Sequence, residues 1–460
     1  METQHDVWQA KINDIHLWSL IRFPLLRALY FETFNYVNLM PERQRMILFD
    51  IKRWRRYLRT IRFFQNKTST STKLLAIVNN IARYPTDDGK YSFDRLHGYL
   101  YDYVENPLIV ESSNLRFWAK PDEKYETQII SQDMLTIWNQ IKRKLGKLPL
   151  YQKKHIEEYV DFLVTIFDAE KQRPMLIREI NAMLIRYDGI RAFINKLITR
   201  TEGNIALVRI GNYMGYSGLI IKTFHEADFH VVEQQHGLIH KHHYAYNFPI
   251  AHTKDKNHIV HKYTPDTFLT FGDYWSQVSN IPGKPFTIGY PHLSEIAEKS
   301  QLQSNLIEGQ ILVISASANP VVVEIIKELA TVFPERNIVF KLHPREIHEL
   351  ENYSQQFSSW RNIQVIGQFD VYQLIAQSEV IASYDGSTVL IEASMFPNKR
   401  VFYHDTHLIP KEVGEYFEDA SNLVSLIRDS HSGQPKINSD LFYAKDWQSR
   451  VRDFFIEVSG

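Results

Sequence analysis

From Gln310 onward, short apolar runs and helix-patterned stretches take turns almost without interruption. QILVISAS, NIVFKLHP, NIQVIG, EVIAS and RVFYHD have the length and continuous apolarity of strands covered on both faces. PVVVEIIKELATVF, VYQLIAQ and STVLIEASMF carry apolar residues at helical spacing. Strands joined through helices need crossover connections, which a parallel, doubly wound sheet accommodates. The first half repeats the signal more loosely, with strands LLAIVNN, PLIVES, NIALVRI, DFHVVEQ, DTFLTFG and PFTIGYP. Two consecutive Rossmann-like domains are therefore expected, with ligands at the carboxyl ends of their strands and a cleft between them.

Helical additions interrupt the first half. Residues 1–70 read as helices, with a break at Pro24 in HLWSLIRFPLLRALYFETF. A second helical insertion is expected over about 125–200, and the polar stretch SEIAEKSQLQSNLIEG reads as the linker. The expected domains are thus 1–295 and 296–440. A closing helix in 441–460 is expected to pack back on the N-terminal domain. The segment DIKRWRRYLRTIRFFQNK bears Lys52, Arg53, Arg55, Arg56, Arg59, Arg62 and Lys67 among Trp54, Tyr57, Phe63 and Phe64. It suits either an anionic membrane surface or packing through its aromatic side with the arginines solvated.

Composition removes several classes of function. Zero cysteine among 460 residues excludes disulfides, thiolate nucleophiles and iron–sulfur clusters. Equal numbers of basic and acidic residues, 53 each, argue against nucleic acid as a partner. No apolar run reaches membrane-spanning length, and METQHDVWQAKIND is too polar for a secretory signal. A cytoplasmic protein is expected, with any contact to the inner membrane surface peripheral.

Polar clusters concentrate just after strands. His343 in KLHPRE is held extended by Pro344, where it can donate to a phosphate oxygen with Lys341 or Arg345 adding positive charge. A histidine satisfied by a backbone carbonyl is the bland alternative. In SYDGST, Gly386 permits a tight turn while Ser387 and Thr388 offer hydroxyls beside a helix start. Ordinary N-capping would use the same residues. Glu392 lies one turn on and can accept from ribose hydroxyls, and Ser317 sits in the first loop, SASANP, of the same sheet. Together these positions suit a nucleotide phosphate without a Walker loop.

The third cluster is EQQHGLIHKHHY. His236 before Gly237 is placed like a general base, with Glu233 to orient it. A metal site from His236, His240, His242 and His243 is the rival, and the later histidines also read as a solvated loop. Asp87-Asp88-Gly89 could supply a base through Asp88, although turn chemistry is the reading that turn preferences favour.

His343-Pro344, Ser387-Thr388 followed by IEA, and Gln235-His236-Gly237 together resemble bacterial glycosyltransferases of the GT-B fold. The likeness is to the capsule and surface-polysaccharide group, which includes polysialyltransferases and teichoic-acid glycerophosphotransferases. FLTFGDYW and IGYPHL resemble segments of capsule-biosynthesis proteins, and the match runs over roughly residues 200–405. The resemblance implies that His343, Ser387 and Thr388 bind the phosphate of a nucleotide donor. It also implies a histidine base at His236, with Gln235 where the glycerophosphotransferases have tryptophan.

The expectation is a metal-independent, inverting transferase needing no cofactor. It would move a sugar from a CMP-, CDP- or UDP-linked donor to a hydroxyl of an oligo- or polysaccharide acceptor, free or lipid-linked. A nucleotide-sugar 2-epimerase and a non-catalytic scaffold of a capsule-assembly complex are the alternatives.

Overall fold

The computed structural model describes residues 2–3, 5–34, 51–65, 71–79, 82–86, 90–112, 123–126, 128–132, 135, 148–303, 305–315, 320–344, 346–367, 369–404, 409–429 and 438–459. The chain divides into two units. Unit 1 comprises Met1–Thr270, Ser276–Ile288 and Gln448–Gly460, and unit 2 comprises Phe271–Trp275 and Gly289–Trp447.

Unit 1 is built on seven parallel strands: β1 (Leu74–Asn79), β2 (Leu108–Ser112), β3 (Ile129–Ser131), β4 (Ile205–Val208), β5 (His230–Gln234), β6 (Thr267–Thr270) and β7 (Lys284–Thr287). Their order across the sheet is β7-β6-β5-β4-β1-β2-β3. The chain starts in the middle, winds to one edge, then returns and winds to the other, so the reversal falls between β1 and β4. The central strands are buried along nearly their whole length, which is why they read as unbroken apolar runs rather than as alternating patterns.

Helices α1 (Leu17–Phe34), α2 (Ile51–Gln65), α3 (Leu150–Phe167), α4 (Arg173–Ile198) and α5 (Tyr216–His225) are among the helices of this unit. Strand β3 falls inside the stretch read as helical from Tyr125, so the helical insertion proper is α3 and α4. The expected break at Pro24 is absent, because α1 runs through it. Leu17, Trp18, Leu20, Ile21 and Leu25 are all buried on this helix. At roughly 1.5–3 kcal/mol each, their burial outweighs the ~3 kcal/mol penalty of an internal proline.

Helix α2 packs on the core through Phe63 and Phe64, as the packing reading expected, but not all of its arginines are solvated. Arg56 is buried and pairs with Glu111 at 2.5 Å, while Arg83 holds the other oxygen of Glu111 at 2.7 Å. Arg59 donates to the carbonyls of Glu126 and Ile129, and the buried Thr60 accepts from the backbone N–H of Ser131. Two arginines thus face the protein and anchor α2 on the β2–β3 edge. Trp54 and the basic residues before Arg56 lie outside the described side chains, as does Lys67. No described helix is long and apolar enough to cross a membrane.

Unit 2 has strands β8 (Ile311–Ile314), β9 (Ile338–Lys341), β10 (Ile363–Ile366), β11 (Val380–Ser383), β12 (Arg400–Tyr403) and β13 (Glu415–Tyr416), all parallel. Their order, β10-β9-β8-β11-β12-β13, reverses between β8 and β11. The two Rossmann-like sheets expected from the sequence are therefore present. A helix at Leu350–Gln356 supplies the β9–β10 crossover that the sequence reading lacked. The segment read as a linker is largely helical, over Pro291–Gln303. Leu293, Ile296, Ala297 and Ser300 are buried along one face at helical spacing, and the other face is mostly polar apart from the exposed Leu302.

Candidate functional site

Each sheet gathers polar residues past the carboxyl ends of its strands. In unit 1 the gathering starts at Glu233, the fourth residue of β5 and fully buried. One of its oxygens, Oε2, accepts from the backbone N–H and the Nδ2 of Asn212, both at 2.7 Å. The other, Oε1, accepts from the Tyr246 hydroxyl at 2.8 Å. Burial drives the Glu233 carboxyl up to about 7, against the lowering effect of these hydrogen bonds and of Arg209.

The Tyr246 oxygen also lies 3.2 Å from Nδ1 of His236. Because its O–H donates to Glu233, Tyr246 can only accept from His236, so Nδ1 carries the imidazole proton and Nε2 holds a lone pair. Glu233 therefore acts on His236 through Tyr246 rather than by direct contact. His236 is half-buried, and its pKa is pushed down to about 3 by burial first, then by Arg209, His243 and His97. The ring is neutral at any working pH.

The loop that carries these groups is pinned from α1. Arg22, buried, donates to the carbonyls of Tyr244 and Asn247 at 2.5 and 2.9 Å, and its guanidinium lies 4.0 Å over the Phe248 ring. Asn247 donates back to the carbonyls of His240 and His243. His243 is not a solvated loop residue: its Nε2 lies 3.3 Å from the Tyr213 hydroxyl and its ring packs on Tyr246. His242 is exposed. No group of three or more described histidine or carboxylate residues is placed to hold a metal ion.

Two further features flank this relay. The hairpin Arg83–Pro85 and Ser92–Asp94 follows β1 and leads into Asp94–His97. Asp94 takes the His97 Nδ1 proton at 2.8 Å and the backbone N–H groups of Leu96 and His97. His97 is fully buried, and its Nε2 has no hydrogen-bond partner among the described residues. Across the reversal point, Arg209 directly follows β4, and its backbone N–H donates to the carbonyl of Ile77 in β1. Asp87, Asp88 and Gly89 lie outside the described residues.

In unit 2, Ser383 closes β11. Its hydroxyl sits 2.8 Å from the carbonyl oxygen of Ile314 and 2.7 Å from that of Asp385, linking β8 to β11 at the reversal. Gly386, Ser387 and Thr388 come next, all half-buried. Ser387 caps the helix Thr388–Glu392 by accepting from the N–H of Val389. The capping reading thus describes its oxygen, while its O–H proton remains a donor. Glu392, half-buried, raises the Tyr443 hydroxyl's pKa by its charge, second to burial.

Strand β9 ends at Lys341, so half-buried His343 lies two residues beyond it rather than at its last position. Strands β9 and β11 both border β8, which places the two strand ends about 10 Å apart across the sheet. Lys341 corrects the expectation of a phosphate ligand. It is buried, and its ammonium donates to the carbonyls of Leu342 and Gly367 at 2.8 and 2.9 Å, tying β9 to the end of β10. Arg345 and Ser317 lie outside the described residues. The sequence reading missed Glu346, a buried carboxylate that accepts from the Ser315 hydroxyl at 2.6 Å and the His343 N–H at 3.2 Å.

No family model matches the chain, and no curated protein matches it. Among solved structures it is similar to a UDP-N-acetylglucosamine 2-epimerase from Rickettsia bellii, with TM-score 0.43 and 13% identity over 85% of this chain and 96% of that one. It is also similar to a glycosyltransferase from Rickettsia africae, with TM-score 0.43 and 15% identity over 84% and 94%. The wall teichoic acid polymerase TagF gives TM-score 0.38 and 11% identity over 89% and 93%. The functional reading rests instead on the geometry of the two strand-end clusters.

Proposed function

We propose that this protein is a glycosyltransferase that moves a sugar from a nucleotide-sugar to a hydroxyl of a surface polysaccharide. The observation that carries the reading is the chain of hydrogen bonds from His236 through Tyr246 to Glu233. An acceptor hydroxyl gives its proton to Nε2 of His236. The Nδ1 proton passes to the Tyr246 oxygen, and the Tyr246 proton passes to Oε1 of Glu233. The hydroxyl oxygen attacks the anomeric carbon, and the bond from that carbon to the donor phosphate breaks, with its electron pair leaving on the phosphate.

Histidine alone would be a poor base with a pKa of about 3, but here the proton comes to rest on Glu233, whose pKa of about 7 matches a base working near neutrality. On the donor side, His343, Ser387 and Thr388 are the proposed phosphate ligands, with Gly386 allowing close approach and Glu392 directed to the ribose. Lys341 serves this site only by holding the strand ends.

The test is a thermal-shift screen of CMP, CDP, UDP, GDP and ADP, followed by product analysis with the matching nucleotide-sugar. A nucleotide should raise the melting temperature of the wild type and not of His343→Ala or Ser387→Ala. A protein that no nucleotide stabilises would refute the donor site. A donor that returns only as its 2-epimer would refute transfer.

A further inference from the structure

We infer that unit 1 holds an oxyanion of the acceptor, a carboxylate or phosphate, on the guanidinium of Arg209. This deepens the transferase reading and rests on it for the identity of unit 1 as the acceptor side. Arg209 leaves β4 at the point where the strand order reverses, between β4 and β1, which is where a doubly wound sheet binds its ligand. Arg209 is half-buried, and its Nε is buried with no hydrogen-bond partner among the described residues. Burying one guanidinium nitrogen without a partner is costly, so a stable fold leaves it there for a ligand that arrives.

The nearby carboxylates are already committed. Asp94 is spent on His97 and two backbone N–H groups, and Glu233 on Asn212 and Tyr246. Both act on Arg209 only as neighbouring charges, not as ligands.

Two independent features point the same way. Ile210, the next residue, has a φ of 53°, a left-handed backbone that a β-branched side chain adopts only under constraint. The constraint is visible at Asn212, whose N–H and side chain are both fastened to Glu233, so the turn that presents Arg209 is built rigidly onto the relay. On the opposite side of the reversal, His97 is fully buried with Nε2 unpartnered among the described residues, and it lies within electrostatic reach of His236. Its Nε2 is a second polar atom left for an incoming ligand. Arg209 then selects acceptors whose charged group lies close to the hydroxyl that His236 deprotonates.

The full-length protein should be assayed by thermal shift and ligand-observed NMR with glucuronate, glucose 6-phosphate and glucose as probes. Wild type should bind the two anionic sugars at least tenfold more tightly than glucose. Arg209→Gln should lose that preference, whereas Arg209→Lys should keep part of it, since it retains the charge but not the two-pronged geometry. Equal binding of glucose and the acids, or an unchanged preference in Arg209→Gln, overturns the inference. Should Arg209→Gln fail to fold, Arg209→Lys with full wild-type preference overturns it equally. Nucleotide binding is the separating arm. If Arg209→Lys or Arg209→Gln weakens CDP or UDP tenfold, the guanidinium clamps the donor and the inference is wrong. If wild type binds acidic sugars but no nucleotide, the transferase reading fails while the oxyanion subsite stands.

Discussion

Replacing Glu233 with glutamine tests the relay at its far end, two residues away from any substrate. Oε2 of Glu233 receives two N–H groups from Asn212, so the glutamine carbonyl must take that position and its NH2 must face Tyr246. The amide then donates to the Tyr246 oxygen, Tyr246 turns its proton toward Nδ1 of His236, and the imidazole carries its proton on Nε2. The variant therefore keeps every hydrogen bond but reverses the two that run through Tyr246, and the lone pair that should meet the acceptor hydroxyl is gone. Loss of a positioned general base costs about 10²- to 10⁴-fold in kcat, and Glu233→Gln should fall in that range with KM for the donor unchanged.

The same logic sets the pH profile. Protonation of Glu233 itself reverses the relay, so wild-type activity should decline as pH falls through about 7, although His236 does not titrate there. Stability should move oppositely. A carboxyl raised from 4.5 to about 7 in the folded state loses stability as pH rises through that interval, and the accumulated cost is about 3 kcal/mol above pH 7. Glu233→Gln lacks this term, so it should gain stability relative to wild type at pH 8 and lose the advantage near pH 4. Nitrogen NMR of the imidazole reads the tautomer directly. A variant that transfers sugar within a few-fold of wild type, or that keeps the Nδ1–H tautomer, would refute the relay.

Tyr246→Phe removes the bridging hydroxyl from the same chain. At about 1.5–3 kcal/mol for a hydrogen bond to a charged group, kcat should drop roughly tenfold to a hundredfold, with the acidic limb of the rate profile lost. A variant with the wild-type limb would place the titrating group elsewhere. Glu111→Gln leaves Arg56 and Arg83 buried without their shared counter-charge and should cost about 3–5 kcal/mol in urea unfolding; an unchanged midpoint would show that these arginines reach water. Gly289→Ala should lower the melting temperature by several degrees. The residue has a φ of 83°, and a Cβ there would lie 2.6 Å from the carbonyl oxygen of Ala444. Wild-type melting would mean that the Ala444 segment yields freely.

The sheets were legible because buried parallel strands leave unbroken apolar runs, and His236, His343 and Ser387 were legible because each stands just past such a run. Their surroundings were not. Asn212 and Arg209 come after β4, Tyr246 lies on the loop after β5, and Asp94–His97 come after a hairpin that leaves β1. They meet only because β4 lies between β1 and β5 in the sheet. A strand pattern announces its members but not their lateral order, so residues from three loops cannot be paired from spacing alone. Lys341 misled for a related reason. A basic residue at a strand end suggests a phosphate ligand, yet its long side chain turns back to the neighbouring strand's carbonyl. The Pro24 reading failed on magnitude, since local propensity was weighed without the burial that overrides it.

The two sheets solve one mechanical problem with the same residue type but surround that residue differently. Loops after parallel strands have no ladder to hold them, and each sheet secures them with a buried glutamate that accepts from backbone N–H groups. Glu346 takes the N–H of His343 and the hydroxyl of Ser315, fastening the ends of β9 and β8 together. Glu233 takes the N–H of Asn212, fastening the turn after β4 to β5. What separates an anchor from a proton acceptor is the group on the remaining oxygen. In Glu346 that oxygen, Oε1, is buried with no hydrogen-bond partner among the described residues, so no hydrogen bond among them links it to an imidazole nitrogen. In Glu233 it meets a tyrosine hydroxyl whose oxygen also lies beside His236. Strand-end chemistry in unit 1 therefore depends on one hydroxyl, Tyr246, that converts a structural carboxylate into the sink of a proton relay.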